Sequence, residues 1–212
     1  MASSFSLPKI YPITDRDISG ISHLEQIRLF VDGGARFIQI RDKNATSLEL
    51  FREFEECAEF AKAYGAKLIV NDRIDIAFTS KADGVHLGQN DLPPDKSREI
   101  LGNNAIIGYS THIIEQAIAA AKLPIDYIAI GPIFATKTKV DHEMTVGLAG
   151  IESVRKVIGS LPLVAIGGIG LENISDVLNA GADSVALVSA LVSNPKEIAD
   201  RTRRAFEIAE RR

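Results

Sequence analysis

Short apolar runs alternate with longer segments of helical character along the whole chain. The runs are rich in Ile, Val and Leu without polar alternation, which is typical of parallel strands covered by helices. They predict strands at 9–14, 37–40, 67–70, 84–87, 105–109, 127–130, 163–166 and 184–188. Helices are predicted at 21–32, 47–64, 73–80, 93–101, 113–121, 148–158, 172–179 and 195–209.

A local pattern supports the same architecture. Gly34-Ala35, Gly65-Ala66 and Gly181-Ala182 each close a predicted helix and precede an apolar strand. Eight strand–helix units in a chain of 212 residues fit a compact (β/α)₈ TIM barrel, an α/β fold spanning residues 1–212 as one domain. The alternative is a doubly wound open sheet, but the chain lacks that fold's usual Gly-rich turn after the first strand.

Composition narrows the class of protein. Hydrophobic residues make up 46% and charged residues 25%, with a net charge of −4, as in an ordinary globular protein that binds neither nucleic acid nor membrane. The single cysteine, Cys57, lies in a helical pattern and is interpreted as core packing. The N-terminus lacks a signal-peptide pattern, and no apolar run could span a bilayer, so we expect a cytoplasmic protein.

Polar residues gather where the predicted strands end, which is where TIM barrels carry their active sites. At the end of the second strand, Gln39, Arg41 and Lys43 occupy alternate positions and would share one face of an extended chain. Two cations held together are tolerable where an anion binds, and the Arg fork suits phosphate. Taken alone, a solvated charged strand end is about equally consistent with these residues.

Two carboxylates follow the next two strands. Asp72 and Asp91 would be neighbours in the barrel, and hard oxygen ligands beside an anion site are typical of Mg²⁺. Each has a structural alternative: Asp72 could cap the helix beginning at Arg73, and Asp91 the helix beginning at Pro93. Only their pairing with Arg41 and Lys43 favours a metal.

A second anion-binding site is predicted at the ends of the seventh and eighth strands. The Gly167-Gly168 turn would allow backbone N–H groups to approach a phosphate, and Val188-Ser189 would supply the other half of the site. The loop Thr136–Lys139 resembles a lid with phosphate donors, although a solvated loop would look similar. His86, inside the fourth strand, is interpreted as inner-barrel packing rather than a base. Two anion sites indicate one diphosphate substrate and one monophosphate substrate.

Six motifs, taken together and in this order, resemble the thiamine phosphate synthase family. The resemblance extends from Tyr11 to Ala190, with the motifs at 39–43, 71–73, 84–91, 108–112, 131–139 and 165–169. It implies a Mg²⁺-dependent transferase of thiamine biosynthesis. Such an enzyme joins 4-amino-2-methyl-5-hydroxymethylpyrimidine diphosphate to thiazole phosphate and releases pyrophosphate and thiamine phosphate.

The resemblance also implies roles for matched residues. The pyrimidine diphosphate would be bound by Gln39, Arg41, Lys43, Asn71, Ser110 and Lys139, and the thiazole phosphate by Thr136, Thr138, Gly168, Val188 and Ser189. Arg41, Lys43, Ser110 and Lys139 would take part in catalysis, and Asp72 and Asp91 would hold Mg²⁺. No general base is required, because the thiazole nitrogen attacks with its lone pair. The partners are small molecules, and a homo-oligomer is one expectation.

Two alternatives remain at this point. A thiazole tautomerase would share the fold but lack the diphosphate-binding set, whereas Arg41, Lys43, Asp72, Asp91 and Lys139 are all present. A non-catalytic barrel that senses a phosphorylated ligand would keep the site at the seventh and eighth strands. It would have little reason to keep two carboxylates beside two cations.

Overall fold

The computed structural model describes residues 6–136 and 144–211. Its strands lie close to the predicted positions. They are β1 (Ile10–Pro12), β2 (Phe37–Ile40), β3 (Lys67–Asn71), β4 (Gly84–Leu87), β5 (Ile106–Thr111), β6 (Tyr127–Ile130), β7 (Leu163–Ile166) and β8 (Ser184–Leu187). The predicted bounds are matched at both ends for β2, β4, β6 and β7, where a short apolar run is bounded clearly on each side.

All pairings in the sheet are parallel, in the order β1-β8-β7-β6-β5-β4-β3-β2. The remaining edges meet through a parallel bridge between Ile13 and Gln39, and the Thr14 N–H donates to the Gln39 carbonyl at 2.9 Å. The sheet is therefore closed, and the predicted (β/α)₈ barrel is confirmed over the described residues.

Helices separate the strands along the described chain. They are α1 (Arg16–Ser19), α2 (His23–Asp32), α3 (Ser47–Ala63), α4 (Ile74–Thr79), α5 (Pro94–Leu101), α6 (Ile114–Ala120), α7 (Gly147–Ile158), α8 (Ile174–Asn179), α9 (Ser189–Val192) and α10 (Ile198–Glu210). Short 3₁₀ turns at Leu171–Asn173 and Pro195–Glu197 replace the predicted starts of α8 and α10.

α1 and α9 were not predicted, because four residues are too few to show a helical period. α3 begins at Ser47, the predicted start, and Thr46 caps it in a capping box with Glu49. The three glycines of the recurring Gly-Ala pairs have positive φ, of 101° at Gly34, 64° at Gly65 and 111° at Gly181, as expected for residues that end helices.

Two apolar layers hold the barrel. The larger lies between the sheet and the helices and includes Cys57, which is fully buried, so the prediction of core packing is confirmed. Burial raises the pKa of the Cys57 thiol to about 12, which keeps it protonated. The smaller layer fills the barrel interior and contains Tyr11, Phe37 and Tyr127. Over the described residues, no helix has the length and apolar character needed to cross a membrane.

Three aspartates join strand pairs at the N-terminal end of the barrel. Asp83, Asp126 and Asp183 each directly precede a strand, and each carboxylate accepts a backbone N–H from the previous strand at 2.8–2.9 Å. Arg98 also donates to Asp126 at 2.7 Å, and Arg155 contacts Asp183. This end of the barrel therefore stabilises the fold and lies opposite the predicted site.

We expect Asp126→Ala to lower the free energy of unfolding by about 1–3 kcal/mol, because it leaves the buried Ile107 N–H and the Arg98 guanidinium without this acceptor. Urea denaturation measures the change. Glu59→Ala, on the exposed side of α3, is the control and should change stability by less than about 0.5 kcal/mol. Equal stability of the two variants would show that the aspartate contacts contribute nothing to folding.

Candidate active site

The predicted cation cluster begins at the end of β2, but its geometry differs from a continued strand. β2 ends at Ile40, so Arg41 and Lys43 lie on the following loop and do not alternate with Gln39 on one extended face. Gln39 is only 2% exposed and points into the barrel, where its Nε2 donates to the Tyr11 hydroxyl at 2.9 Å. The three side chains therefore lie at different depths.

Arg41 is paired with a carboxylate that the sequence analysis did not consider. The Arg41 guanidinium lies 2.9 Å from Asp15, a nearly buried residue just after the first strand. Asp15 also caps α1, because its other carboxylate oxygen accepts the Ile18 N–H at 3.1 Å. Its place at the C-terminal end of a barrel strand was the signal that could have identified it.

The loop that carries Lys43 is ordered by Asp42. One carboxylate oxygen of Asp42 accepts the N–H groups of Asn44 and Ala45, both at 2.8 Å. The other lies 3.0 Å from Arg16 and 3.3 Å from His23. Burial by itself would raise the pKa of Asp42, but these backbone hydrogen bonds and Arg16 outweigh it, and the pKa is lowered. The carboxylate thus stays ionised and holds the loop.

Asp72 and Asp91 lie together, as predicted for neighbours in the barrel. Lys43 Nζ is 3.3 Å from the Asp72 carboxylate, and Asp91 lies close enough to both residues for their charges to act on its carboxyl group. Burial raises the pKa of Asp91, and the negative charge of Asp72 adds to that effect, against the Gly88 N–H and Lys43. Two neighbouring carboxylates repel each other, and a bound cation would relieve that repulsion.

The capping alternatives for both carboxylates are wrong. The residues at the N-caps of α4 and α5 are Arg73 and Pro93, and neither helix has a side-chain cap hydrogen bond. Asp72 instead has a left-handed backbone with φ 62°, which is uncommon for a residue with a side chain. Asp91 accepts the Gly88 N–H at 2.6 Å. Both carboxylates are therefore available to the site rather than used by helix ends.

A divalent cation held by these residues would need further ligands. Within residues 6–136 and 144–211, no group of three or more His, Cys, Asp or Glu side chains could hold a metal ion. A pair of carboxylates next to Lys43 nevertheless fits Mg²⁺, which usually takes one or two carboxylates and completes its octahedron with water and substrate phosphates. The donor set is thus compatible with a metal that binds together with a phosphorylated substrate.

Ser110 lies near the end of β5, within reach of β4. Its Oγ is 2.8 Å from His86 Nε2, and His86 Nδ1 is 3.0 Å from the Tyr127 hydroxyl. His86 is buried, as expected for inner-barrel packing, but both ring nitrogens have hydrogen-bond partners. Asn71, the last residue of β3, pairs in register with His86 and lies half-buried at the same end of the barrel.

Packing accounts for the two glycines that predicted a phosphate site at β7 and β8. Gly167 and Gly168 have φ of 97° and 67°, and a Cβ on Gly168 would lie 2.5 Å from the Phe134 carbonyl oxygen. The two glycines therefore permit close approach of the loop after β6, whether or not a phosphate binds. Ser189 is the first residue of α9, directly after Val188.

The loop after β6 is described only in part. Thr136 is half-buried and is the last described residue before the gap. Thr138 and Lys139 lie outside the described residues, so their predicted roles stay predictions.

Comparison with known proteins decides the family. The model of the family described as "Thiamine monophosphate synthase" matches residues 10–191, which is most of the chain and includes every strand. The chain belongs to the thiamine monophosphate synthase family.

Individual relatives of the chain support the same family. The chain is 47% identical over 184 residues to a thiamine-phosphate synthase of Pelotomaculum thermopropionicum, covering 86% of this chain and 84% of the relative. It is 42% identical over 200 residues to that of Methanospirillum hungatei, covering 94% and 96%. A solved thiamine phosphate pyrophosphorylase from Pyrococcus furiosus superposes with a TM-score of 0.87 at 34% identity, covering 96% of each chain.

These comparisons confirm the resemblance inferred from the motifs. The chain is a transferase of thiamine biosynthesis, with the activity of a thiamine-phosphate synthase. The tautomerase and non-catalytic alternatives are not favoured, because the similar proteins are named as synthases over nearly the full chain.

Because the pKa of Asp91 is raised, we expect its ionised carboxylate to lower the free energy of unfolding of the protein. A carboxyl whose pKa is higher in the folded state destabilises the fold increasingly as pH rises above its unfolded value near 4. We therefore expect Asp91→Asn to be more stable than wild type at pH 7 in EDTA, with a smaller difference at pH 4. Urea denaturation at the two pH values measures this.

Asp95→Asn, on an exposed side chain in the first turn of α5, is the matched control and should bring no gain. If Asp91→Asn were less stable than wild type at pH 7, the Asp91 carboxylate would be a net stabilising group, contrary to its position beside Asp72.

Proposed function

We propose that this protein catalyses the Mg²⁺-dependent condensation of 4-amino-2-methyl-5-hydroxymethylpyrimidine diphosphate with thiazole phosphate. The observation that carries the metal and substrate assignment is the closeness of the Asp72 and Asp91 carboxyl groups beside Lys43. Combined with membership of the synthase family, this arrangement supports a site for a metal-bound diphosphate.

The proposed residue roles are those that the family motifs imply. Asp72 and Asp91 would hold Mg²⁺, which when bound would neutralise charge on the diphosphate oxygens. Arg41, Lys43, Ser110 and Lys139 would bind the diphosphate, and Gln39 and Asn71 would also bind the pyrimidine diphosphate. Thiazole phosphate would be bound by Thr136, Thr138, Gly168, Val188 and Ser189.

The chemistry requires positioning and charge stabilisation more than proton transfer. The C–O bond between the pyrimidine methylene and the diphosphate breaks, and its electron pair leaves with pyrophosphate. The thiazole nitrogen lone pair then forms the new C–N bond. Cationic donors aimed at the leaving group lower the barrier, and the second site holds the acceptor in line. We also place the enzyme in the cytoplasm, acting on small molecules, and keep a homo-oligomer as an expectation.

A direct assay tests this proposal. Purified protein is mixed with the pyrimidine diphosphate, thiazole phosphate and Mg²⁺, and pyrophosphate and thiamine phosphate are measured together. Equal amounts of the two products that disappear with EDTA are expected. Binding of thiazole phosphate without either product would instead support a tautomerase-like or sensing barrel.

Asp72→Ala should weaken the binding of Mg²⁺ directly. We expect at least about a tenfold rise in the Mg²⁺ concentration for half-maximal activity, because one of two carboxylate ligands is lost. A Mg²⁺ titration of initial rates measures it. Asp75→Ala, which removes an exposed carboxylate paired with Arg73 on α4, should leave the titration unchanged. A wild-type titration for Asp72→Ala would contradict the metal assignment.

Arg41→Lys keeps the positive charge but removes the planar fork. We expect kcat/KM for the pyrimidine diphosphate to fall by roughly tenfold, since charge-assisted bidentate contacts are replaced by a point charge. Steady-state kinetics measure the change. The control is Arg203→Lys on the outer helix α10, where the guanidinium contacts exposed carboxylates. Unchanged kinetics for Arg41→Lys would place the diphosphate elsewhere.

A further inference from the structure

A row of hydrogen-bonded side chains crosses the barrel interior and joins two residues of the proposed substrate site. In order it contains Gln39, Tyr11, Tyr127, His86 and Ser110, which we call the interior relay. The successive heavy-atom distances are 2.9, 3.0, 3.0 and 2.8 Å. The relay draws on five strands, because its members lie on β2, β1, β6, β4 and β5.

The direction of the hydrogen bonds in the relay can be worked out from its first member. Gln39 Nε2 donates to the Tyr11 oxygen, and the other described hydrogen bond of Tyr11 is to the Tyr127 hydroxyl. Tyr11 is 1% exposed, so a proton on its oxygen that did not point at Tyr127 would be buried without an acceptor. A buried donor without an acceptor is strongly unfavourable. Tyr11 therefore donates to Tyr127.

The direction of the hydrogen bonds from Tyr127 to Ser110 follows in the same way. With Tyr127 accepting from Tyr11, its own proton has His86 Nδ1 as an acceptor at 3.0 Å. A neutral imidazole that accepts at Nδ1 carries its proton at Nε2, which then donates to Ser110 Oγ at 2.8 Å. The Ser110 oxygen is thus occupied as an acceptor, and its own proton is left to donate to a substrate atom.

The Tyr127 ring, at the centre of the relay, fits because the facing residue on β5 is a glycine. Gly108 on β5 pairs in register with Tyr127 on β6, and a Cβ at Gly108 would lie 2.0 Å from the Tyr127 ring. Only glycine therefore leaves room for this tyrosine. The Tyr127 ring also stacks on His86 at 5.5 Å and meets the Tyr11 ring edge-on at 6.0 Å. These contacts hold the hydroxyl in one place.

We propose that Tyr127, acting through His86, is a positioning residue that orients the Ser110 hydroxyl as a hydrogen-bond donor to the pyrimidine diphosphate. The proposal rests on the proposed function for the identity of that substrate. Tyr11 and Gln39 supply the other end of the relay and set its direction. Tyr127 itself touches neither substrate nor metal in this scheme, so its effect on the rate passes entirely through Ser110.

The kinetic test is a double-mutant cycle with Tyr127→Phe and Ser110→Ala. Tyr127→Phe keeps the ring but removes the hydroxyl, and we expect kcat/KM to fall by roughly tenfold, in line with one lost hydrogen bond. In the Ser110→Ala background the same change should have no further effect, since the residue it acts through is gone. Tyr64→Phe, at the exposed end of α3, is the control for loss of a phenol and should keep wild-type kinetics.

Two kinetic results would overturn the proposal. Wild-type kinetics for Tyr127→Phe would show that the relay does not act on the reaction. An equal loss in the presence and absence of Ser110 would show that Tyr127 supports the barrel in general. Should Tyr127→Phe fold poorly, Tyr11→Phe interrupts the relay one step earlier and is expected to give a smaller loss that also vanishes in the Ser110→Ala background.

A spectroscopic readout separates this proposal from the proposed function. The ¹⁵N shifts of labelled histidine report which ring nitrogen carries the proton, and among the four histidines His86 is assigned by its absence in His86→Gln. We expect the Nε2–H tautomer in wild type and a shift toward Nδ1–H in Tyr127→Phe. That result in a protein that releases no pyrophosphate would support the relay and reject the synthase chemistry. An Nδ1–H tautomer in wild type would reverse the relay and overturn the proposal.

Discussion

Closure of the barrel between β1 and β2 is the constraint on which the rest of the site depends. The Thr14 N–H donates to the Gln39 carbonyl, and Ile13 pairs with Gln39, so the first and second strands meet just where both end. This short ladder places Asp15 beside Arg41 and the Tyr11 hydroxyl beside the Gln39 amide. One backbone contact therefore sets both the electrostatic partner of the arginine and the first link of the interior relay.

Two cations of the proposed site lie in the described part of the chain, and both have protein partners. Arg41 is paired with Asp15, and Lys43, whose side chain is 56% exposed, is paired with Asp72. An exposed pair of this kind contributes no more than about 1 kcal/mol, because water screens it. A diphosphate carrying several negative charges can therefore compete with Asp72 for Lys43. When no diphosphate is bound, the Lys43–Asp72 pair limits charge repulsion.

Much of the fold was predictable because parallel strands and helices leave separate local patterns. The short, largely apolar runs identified β2, β4, β6 and β7 with their observed bounds, and the family motifs identified the synthase family. The errors came where local pattern is ambiguous. A carboxylate just before a helix often caps it, so Asp72 had a capping alternative that proved wrong, and α1 and α9 are too short to show a period. The Gly167-Gly168 pair signalled a turn, but only the structure showed that the loop after β6 packs against it.

The sequence by itself determined the order of elements, the polar character of the strand ends and the family, because each follows from residues close together in the chain. The tertiary structure decided which side chains meet. Tyr11 and Tyr127 are 116 residues apart, and their hydroxyls lie 3.0 Å from each other across the barrel. That contact depends on strand register, on closure and on the space left by Gly108, and no local pattern contains this information. The fold joins two tyrosines and His86, which the sequence indicated as packing, into a hydrogen-bonded path to Ser110.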